Sequence, residues 1–278
     1  MDERTRNGSI SLETLVVTMN QTDRSLEKRM NIRTDVLIGN QCGRCGEEIF
    51  ISNGRKVEYL NTAETGVGKN RNLVLDHATG DICILADDDM RFADEYPSIV
   101  LQAFRECPQA DLLIFNLIEE RPVRKINRTY SKVTWLNYAQ YGAARIAFRR
   151  SAIVGSGIRF SLLFGGGARY GSGEDTIFLQ ECLRKGIRMY TAPYALAELH
   201  QGESSSWKAG HRKFFFDKGA AYACLHPFFF IAFDFLFLIR HMREYKSDVS
   251  PSDAFRLMLK GSRDYLKTYR RPAMKSQA

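Results

Sequence analysis

An open α/β fold is predicted by three observations. Short apolar strands alternate with helical segments along the first half of the chain. A triplet of aspartates directly follows one uninterrupted apolar strand, and glycines punctuate the turns between strand and helix.

The elements follow in chain order. Residues 15–19 (L-V-V-T-M) read as a first strand, and a polar segment of helical character lies around 25–31. Strands at 35–39 and 57–60 come next, then the turn Gly66-Val67-Gly68 and a helix over 69–78 ended by Gly80. Residues 81–86 (D-I-C-I-L-A) form a continuous apolar run, as a strand buried in a parallel sheet requires. A helix at 96–106 and a strand at 111–117 complete the alternation. The second half is less regular. It holds a strand at 142–148, a glycine-rich loop at 163–168, a helix at 174–185 stopped by Gly186, and strands at 187–191 and 195–199.

Length and composition bound the function. The 278 residues, 44% of them hydrophobic, suffice for a sizeable core. Net charge is +8, and residues 240–278 contribute +6 of it, from ten Lys/Arg against four acids. A basic tail suits an anionic surface. Basic and aromatic residues interleaved on one face, as nucleic-acid binding would require, are not found. Of six cysteines, Cys83 and Cys182 fall in apolar patterns and read as buried thiols. Cys42 and Cys45 form a lone C-x-x-C without a second pair at zinc spacing, in keeping with a reduced, cytoplasmic protein. The first 13 residues are polar, without a signal-peptide core, and are expected to be flexible.

Three constellations carry chemistry. Asp87-Asp88-Asp89 follows the strand at 81–86, where α/β sheets bind ligands. Adjacent carboxylates raise one another's pKa, and a divalent cation removes that penalty. Asp87 and Asp89 alternate along an extended segment and would share a side. Mn2+ and Mg2+ take hard oxygen ligands, Mg2+ commonly from one or two carboxylates plus substrate phosphates. The bland reading is a solvated acidic loop capping the next helix. The second constellation is Gly66-Val67-Gly68-Lys69-Asn70-Arg71-Asn72, glycines before a helix N-terminus that favours anions, or else an ordinary turn and helix start. The third is Tyr170-Gly171-Ser172-Gly173-Glu174-Asp175, just after Gly165-Gly166-Gly167. Here Ser172 caps a helix with Asp175 closing a capping box, or one of the two carboxylates serves as a general base.

In this order the three constellations resemble the inverting family-2 glycosyltransferases of the GT-A fold. The carriers are G-x-x-x-x-R-N, a strand ending in A-D-D-D, and F-G-G-G-A-x-Y-G-S-G-E-D, within residues 14–220. They look like a bacterial branch associated with capsule, exopolysaccharide and lipopolysaccharide assembly. The resemblance implies a mixed, mostly parallel Rossmann-like sheet flanked by helices. It also implies inverting transfer of a sugar from a nucleotide-diphosphate donor, such as a UDP-sugar, to a glycan or lipid-linked glycan hydroxyl. Asp175 would be the base, supported by Glu174. Asp87 and Asp89, with His200 as a further candidate, would hold the metal. Thr18, Gln21, Gln41, Gly68, Arg71, Asn72, Asp87 and Asp88 would line the donor nucleotide. Gly165, Gly166, Gly167 and Trp207 would meet the sugar or acceptor. Two departures stand out: Ala86 occupies a position often acidic in the family, and Asn40-Gln41 replaces an acidic base-binding residue. A sugar nucleotidyltransferase and a non-catalytic nucleotide-binding scaffold are the alternatives. The first usually needs a glycine-rich signature near strand one, and residues 15–23 contain no glycine.

The transferase domain is expected over 14–222, with a helical extension over 223–278. Within the extension, residues 228–239 (F-F-F-I-A-F-D-F-L-F-L-I) are strongly apolar but too short to span a bilayer, which takes about 20 residues. Basic residues follow at Arg240 and Arg243. The segment 228–246 is therefore a core helix, a dimer face, or a helix lying on an anionic membrane.

Overall fold

The computed structural model describes residues 10–119, 124–199 and 212–270. Residues 10–65, 69–119, 124–160 and 178–199 make one unit, and residues 66–68, 161–177 and 212–270 a second.

One sheet organises the first unit. Its strands are β1 (Leu12–Met19), β2 (Asp35–Gln41), β3 (Gly46–Ser52), β4 (Arg55–Thr62), β5 (Ile82–Asp87), β6 (Met90–Phe92), β7 (Leu112–Glu119), β8 (Ile146–Arg149) and β9 (Met189–Leu199). Their spatial order is β3-β4-β2-β1-β5-β8-β7-β9-β6. The run β4-β2-β1-β5 is parallel throughout. Beyond it β8 runs antiparallel to both β5 and β7, while β7 and β9 are parallel. The sheet is thus mixed, with a parallel segment where the sequence places the ligand-binding end.

Alternation along the strands builds two cores. On β5, Cys83 and Leu85 face one side with Val74 and Leu75 of α2 (Val67–His77). Ile82, Ile84 and Ala86 face the other, with Val100, Ala103 and Phe104 of α3 (Tyr96–Glu106). Both faces are covered, which is why β5 reads as an unbroken apolar run. The buried Cys83 and Cys182 are as expected, and Cys42 and Cys45 are free thiols.

Several elements differ from the sequence reading, each for a local reason. The antiparallel hairpin β3–β4 turns on Asn53 (φ 50°) and Gly54 (φ 74°), the two positive-φ residues that a two-residue turn matching strand twist requires. An Asn-Gly pair between alternating residues is its signal. The strand expected at 142–148 shortens to β8, with Ala143 and Arg145 forming a turn before it. The strands expected at 187–191 and 195–199 are one strand, β9. Its pairing with β7 shifts register between Ile114 and Leu117, so the extra residues around Pro193 bulge out. The one-turn helices α1 (Leu26–Arg29) and α4 (Arg150–Ile153) complete the first unit's shorter elements.

The second unit contains α6 (Arg212–Leu225), α7 (Phe230–Tyr245) and α8 (Pro251–Tyr265), with the loop 161–173 and the first turn of α5 (Glu174–Arg184). The boundary expected at 222/223 falls inside α6. Ser250 caps α8, accepting from the Asp253 amide at 3.1 Å, with Pro251 at the first helical position. Helices α6 and α8 meet backbone to backbone. A Cβ on Gly219 would lie 2.0 Å from the Met258 carbonyl oxygen, and one on Gly261 would lie 1.8 Å from that of Phe216. Only glycine permits this approach. Among the described residues no helix is long and apolar enough to cross a membrane.

Asp234 is fully buried on α7, with the Ser262 hydroxyl 3.4 Å from its Oδ2. Burial pushes its pKa up to about 7. An unfolded aspartate titrates near ~3.9, so between these values the folded chain holds the proton more tightly. Stability from this group is present at low pH and is lost as pH rises through the interval. Asp234→Asn is expected to flatten the fall in thermal midpoint between about pH 4 and 7. An unchanged slope in the variant would contradict this.

Candidate functional site

In open α/β sheets ligands bind where the connection order reverses. From β1 the chain moves to β2 and then β4 on one side, and β5 pairs on the other. Such a switch opens a crevice at the carboxyl ends of the strands. The residues there are in register: Thr18 on β1 opposite Asn40 on β2, Asn40 opposite Asn61 on β4, and Val17 opposite Asp87 on β5. The row is polar although the strands beneath it are apolar.

Amide side chains fix this edge. Asn40 donates from Nδ2 to Asn61 Oδ1 (2.8 Å) and to the Gln21 carbonyl (2.9 Å), and its Oδ1 accepts from the Gln21 amide (3.0 Å). Asn70, buried on α2, donates to the Gly39 carbonyl at 2.8 Å and to that of Thr18 at 3.3 Å. A Cβ on Gly39 would lie 2.2 Å from Asn70 Oδ1, so Gly39 is what lets α2 settle over the ends of β1 and β2. Beside this edge Gln21, Arg24, Asn40, Arg44, Tyr59 and Asn61 help to line a cavity of about 240 Å³.

The aspartates are treated unequally. Arg71 on α2 is buried, and its Nη2 donates to Asp87 Oδ1 at 3.0 Å and more weakly to Oδ2 at 3.4 Å. Its guanidinium lies 5.1 Å from the centre of the Phe160 ring, which stacks on Phe178 at 4.1 Å. Asp88 accepts from the Thr18 hydroxyl at 2.5 Å. Asp88 and Asp89 form the turn into β6, whose Met90 and Phe92 are buried and anchor the loop from its far end. Asp89 is exposed in the turn, but partial desolvation by the chain around it, then the charges of Asp87 and Asp88, raise its carboxyl above the usual carboxylate range, and Arg124 acts against them.

Asp87 is thus neutralised from within the protein. Among the described residues neither Asp88 nor Asp89 has a salt-bridge partner. No group of three or more His, Cys, Asp or Glu side chains among the described residues makes a metal cage. The donor set still fits a divalent cation. Two adjacent hard-oxygen carboxylates without a cationic partner among the described residues are what an ion completing its shell with a diphosphate takes.

The second unit holds the other carboxylates. Glu174 and Asp175 open α5. Gly173, at φ 110°, is the cap, and its carbonyl accepts from the Ile177 amide at 3.0 Å. The cap position thus falls on Gly173, one residue after the Ser172 expected from the sequence. The glycine loop packs against this turn. Gly165 sits at φ 105°, and a Cβ there would meet Val67 at 2.6 Å and the Glu174 carboxyl carbon at 2.9 Å. Val67 donates to the Gly166 carbonyl at 2.9 Å, and Gly167 also has a positive φ, 78°. Two buttresses hold the segment before Glu174. Asp217 on α6 accepts from the Gly171 amide at 2.8 Å, and Asp264 on α8 accepts from Tyr170 (2.8 Å) and Arg169 (2.9 Å).

Within the first unit Thr18, Gln21, Arg71, Asp87, Asp88 and Asp89 are brought to the strand ends. Gln41 ends β2 and uses its carbonyl on the Asn20 amide at 2.9 Å. Asn72 turns elsewhere: its amide exchanges two hydrogen bonds with the Phe160 backbone, 2.9 and 2.7 Å. Within the second unit Gly165, Gly166, Gly167, Gly68, Glu174 and Asp175 share the loop-and-helix region. His200 and Trp207 lie outside the described residues. Asn61 and Tyr59 were not anticipated, and Asn70 was named only within the glycine-to-helix stretch, without a role of its own. A polar residue closing each parallel strand would have pointed to Asn61, while Asn70 is hidden inside an ordinary helix.

Residues 47–160 match the model of glycosyl transferase family 2. No curated protein matches the chain. Among solved structures, residues 1–349 of S. aureus TarS in complex with UDP-GlcNAc share the fold. The TM-score is 0.59 at 17% identity, over 86% of this chain and 74% of that one. The same TarS fragment alone gives a TM-score of 0.55 at 14% identity, over 94% and 73%. Against the longer S. aureus TarS structure the TM-score is 0.58 at 16% identity, over 86% of this chain and 44% of that chain. The fold is of the GT-A type, and the family model together with it supports a family-2 glycosyltransferase.

Proposed function

We propose that the chain transfers a sugar from a nucleotide-diphosphate donor, in the first instance a UDP-sugar, to a hydroxyl of a glycan or lipid-linked glycan in surface polysaccharide synthesis. The observation that carries this reading is the division of labour among the aspartates. Arg71 neutralises Asp87, which leaves Asp88 and Asp89 as the hard-oxygen pair at the switch point of the sheet. The UDP-GlcNAc bound by TarS, a protein of the same fold, is consistent with it.

In this reading the cavity beside Asn40 and Asn61 takes the base and ribose. Asp88 and Asp89 hold a Mn2+ or Mg2+ ion, and Asp87 orders the loop through Arg71. When bound, such an ion offsets the charge that grows on the diphosphate as it leaves. Asp175 takes the proton from the acceptor hydroxyl as that oxygen attacks the anomeric carbon, inverting its configuration. It stands in the first turn of α5, two residues after Gly173. Glu174, pressed against Gly165, fixes the turn that presents Asp175.

Asp175→Asn is expected to lower turnover by about 100- to 10,000-fold while metal-dependent UDP binding persists. The measurement is release of UDP from a panel of UDP-sugars with Mn2+ and with Mg2+. Unchanged turnover in the variant would overturn the base assignment.

The exposed face of α7 fits a peripheral membrane role. Asp234, Phe237, Leu238 and Tyr245 are buried on one side. Ile231, Phe235, Ile239 and Met242 are exposed along the other, at the spacing of one helical stripe, and Phe228 is exposed in the turn before the helix. Exposed Arg240, Arg243 and Lys246 lie beside it, complementary to anionic lipid headgroups. The chain is expected to sediment with phosphatidylglycerol vesicles at low salt, and Phe235→Asp/Ile239→Asp to abolish this. No sedimentation at low salt, where basic attraction is least screened, would refute the lipid role. So would a dimer that the same substitutions dissociate.

A further inference from the structure

Arg145 is 2% exposed, yet its Nε and Nη2 have no hydrogen-bond partner among the described residues. The ring of Tyr141 lies 5.4 Å from its guanidinium carbon. Burial, reinforced by the charge of Arg124, draws its pKa down to about 10, so it stays cationic at neutral pH. Arg124 pairs with Glu119. A buried guanidinium with two unmet donors is costly, and the cost falls when an anion joins it. Nε–H and the adjacent Nη2–H form one edge of the guanidinium fork. That edge grips a carboxylate by two parallel hydrogen bonds.

The position of Arg145 says which part of a ligand would reach it. β8 pairs antiparallel with β5, Ala147 opposite Ile84, so the residue just before β8 lies toward the carboxyl end of β5. Arg145 is held there by its carbonyl, which accepts from the Phe115 amide of β7 at 2.9 Å. Across the strand ends the order is Asn61 and Asn40 on β4 and β2, Thr18 on β1, the aspartates on β5, and Arg145 at β8. Strands lie about 4.8 Å apart. A nucleotide sugar laid with its base at the amide row and its diphosphate at the aspartates carries its sugar one strand further on.

We propose that the Nε/Nη2 edge of Arg145 binds a carboxylate on the transferred sugar, which makes the donor a nucleotide-linked uronic acid. This rests on the donor reading above. The test is calorimetric binding of UDP, UDP-glucose, UDP-glucuronate and UDP-galacturonate, with Mn2+, to the full chain and to Arg145→Gln and Arg145→Lys. Circular dichroism confirms that each variant is folded. In the wild type at least one uronate is expected to bind about tenfold or more tighter than UDP-glucose. Arg145→Gln is expected to erase that preference and leave UDP affinity unchanged. Arg145→Lys, which keeps the charge but not the fork, is expected to retain only part of the preference. Equal binding of neutral and uronate donors by the wild type would overturn the proposal. So would an Arg145→Gln loss that falls equally on UDP alone, which would assign the guanidinium to the diphosphate. If the wild type binds none of the four, the UDP-donor reading fails, and this inference fails with it.

Discussion

Three consecutive carboxylates at the end of a buried strand repel one another, and the protein relieves that repulsion only in part. The buried Arg71 takes the first, Asp87, and is itself held on the face of Phe160. Among the described residues Asp88 is bonded by the Thr18 hydroxyl, and partial desolvation with the neighbouring charges favours the protonated form of Asp89. Leaving two acids without a cationic partner is unfavourable for the protein alone, and under the proposed function a bound ion with its diphosphate would relieve it. Much of the nearby architecture serves this imbalance. Asn70 and Gly39 fit α2 against β1 and β2, Asn72 ties α2 to Phe160, and β6 anchors the loop beyond Asp89.

The second unit solves a different problem, which is to hold a glycine-rich loop and a helix N-terminus in one conformation. Glycines give the loop room to approach Val67 and Glu174, at the cost of backbone freedom. Asp217 and Asp264 restore order from α6 and α8, and the backbone contact of those helices at Gly219 and Gly261 makes a stiff support. The C-terminal helices are therefore part of the apparatus that positions Glu174 and Asp175, besides offering an apolar face on α7.

The parallel core was legible because burial on both faces writes itself as uninterrupted apolar runs, as in 81–86. Helix α3 was read at its observed bounds because an apolar stripe and a following polar turn frame it. The hairpin β3–β4 escaped notice because β3 is an edge strand with Ile49 and Ile51 exposed, so its apolar residues mark no core. β9 was split in two by Pro193, which a bulge accommodates. In the site, charge and glycine patterns revealed the aspartates and the loop. They did not reveal which aspartate Arg71 would claim, because that depends on the rotation of α2 over β5 and not on spacing. The resemblance placed Asn72 with Arg71 near the nucleotide; its side-chain amide exchanges two hydrogen bonds with the Phe160 backbone, 88 residues away. Arg145 carried no signal at all, since an arginine before a strand looks like surface until burial is known.

The most direct measurement is UDP-dependent Mn2+ binding, followed by electron paramagnetic resonance, in the wild type, Asp87→Asn and Asp89→Asn. With Asp87 engaged by Arg71 and Asp89 serving the ion, Asp89→Asn should lose Mn2+ binding while a folded Asp87→Asn retains it. Retention by Asp89→Asn together with loss by a folded Asp87→Asn would contradict the division of labour among the three aspartates.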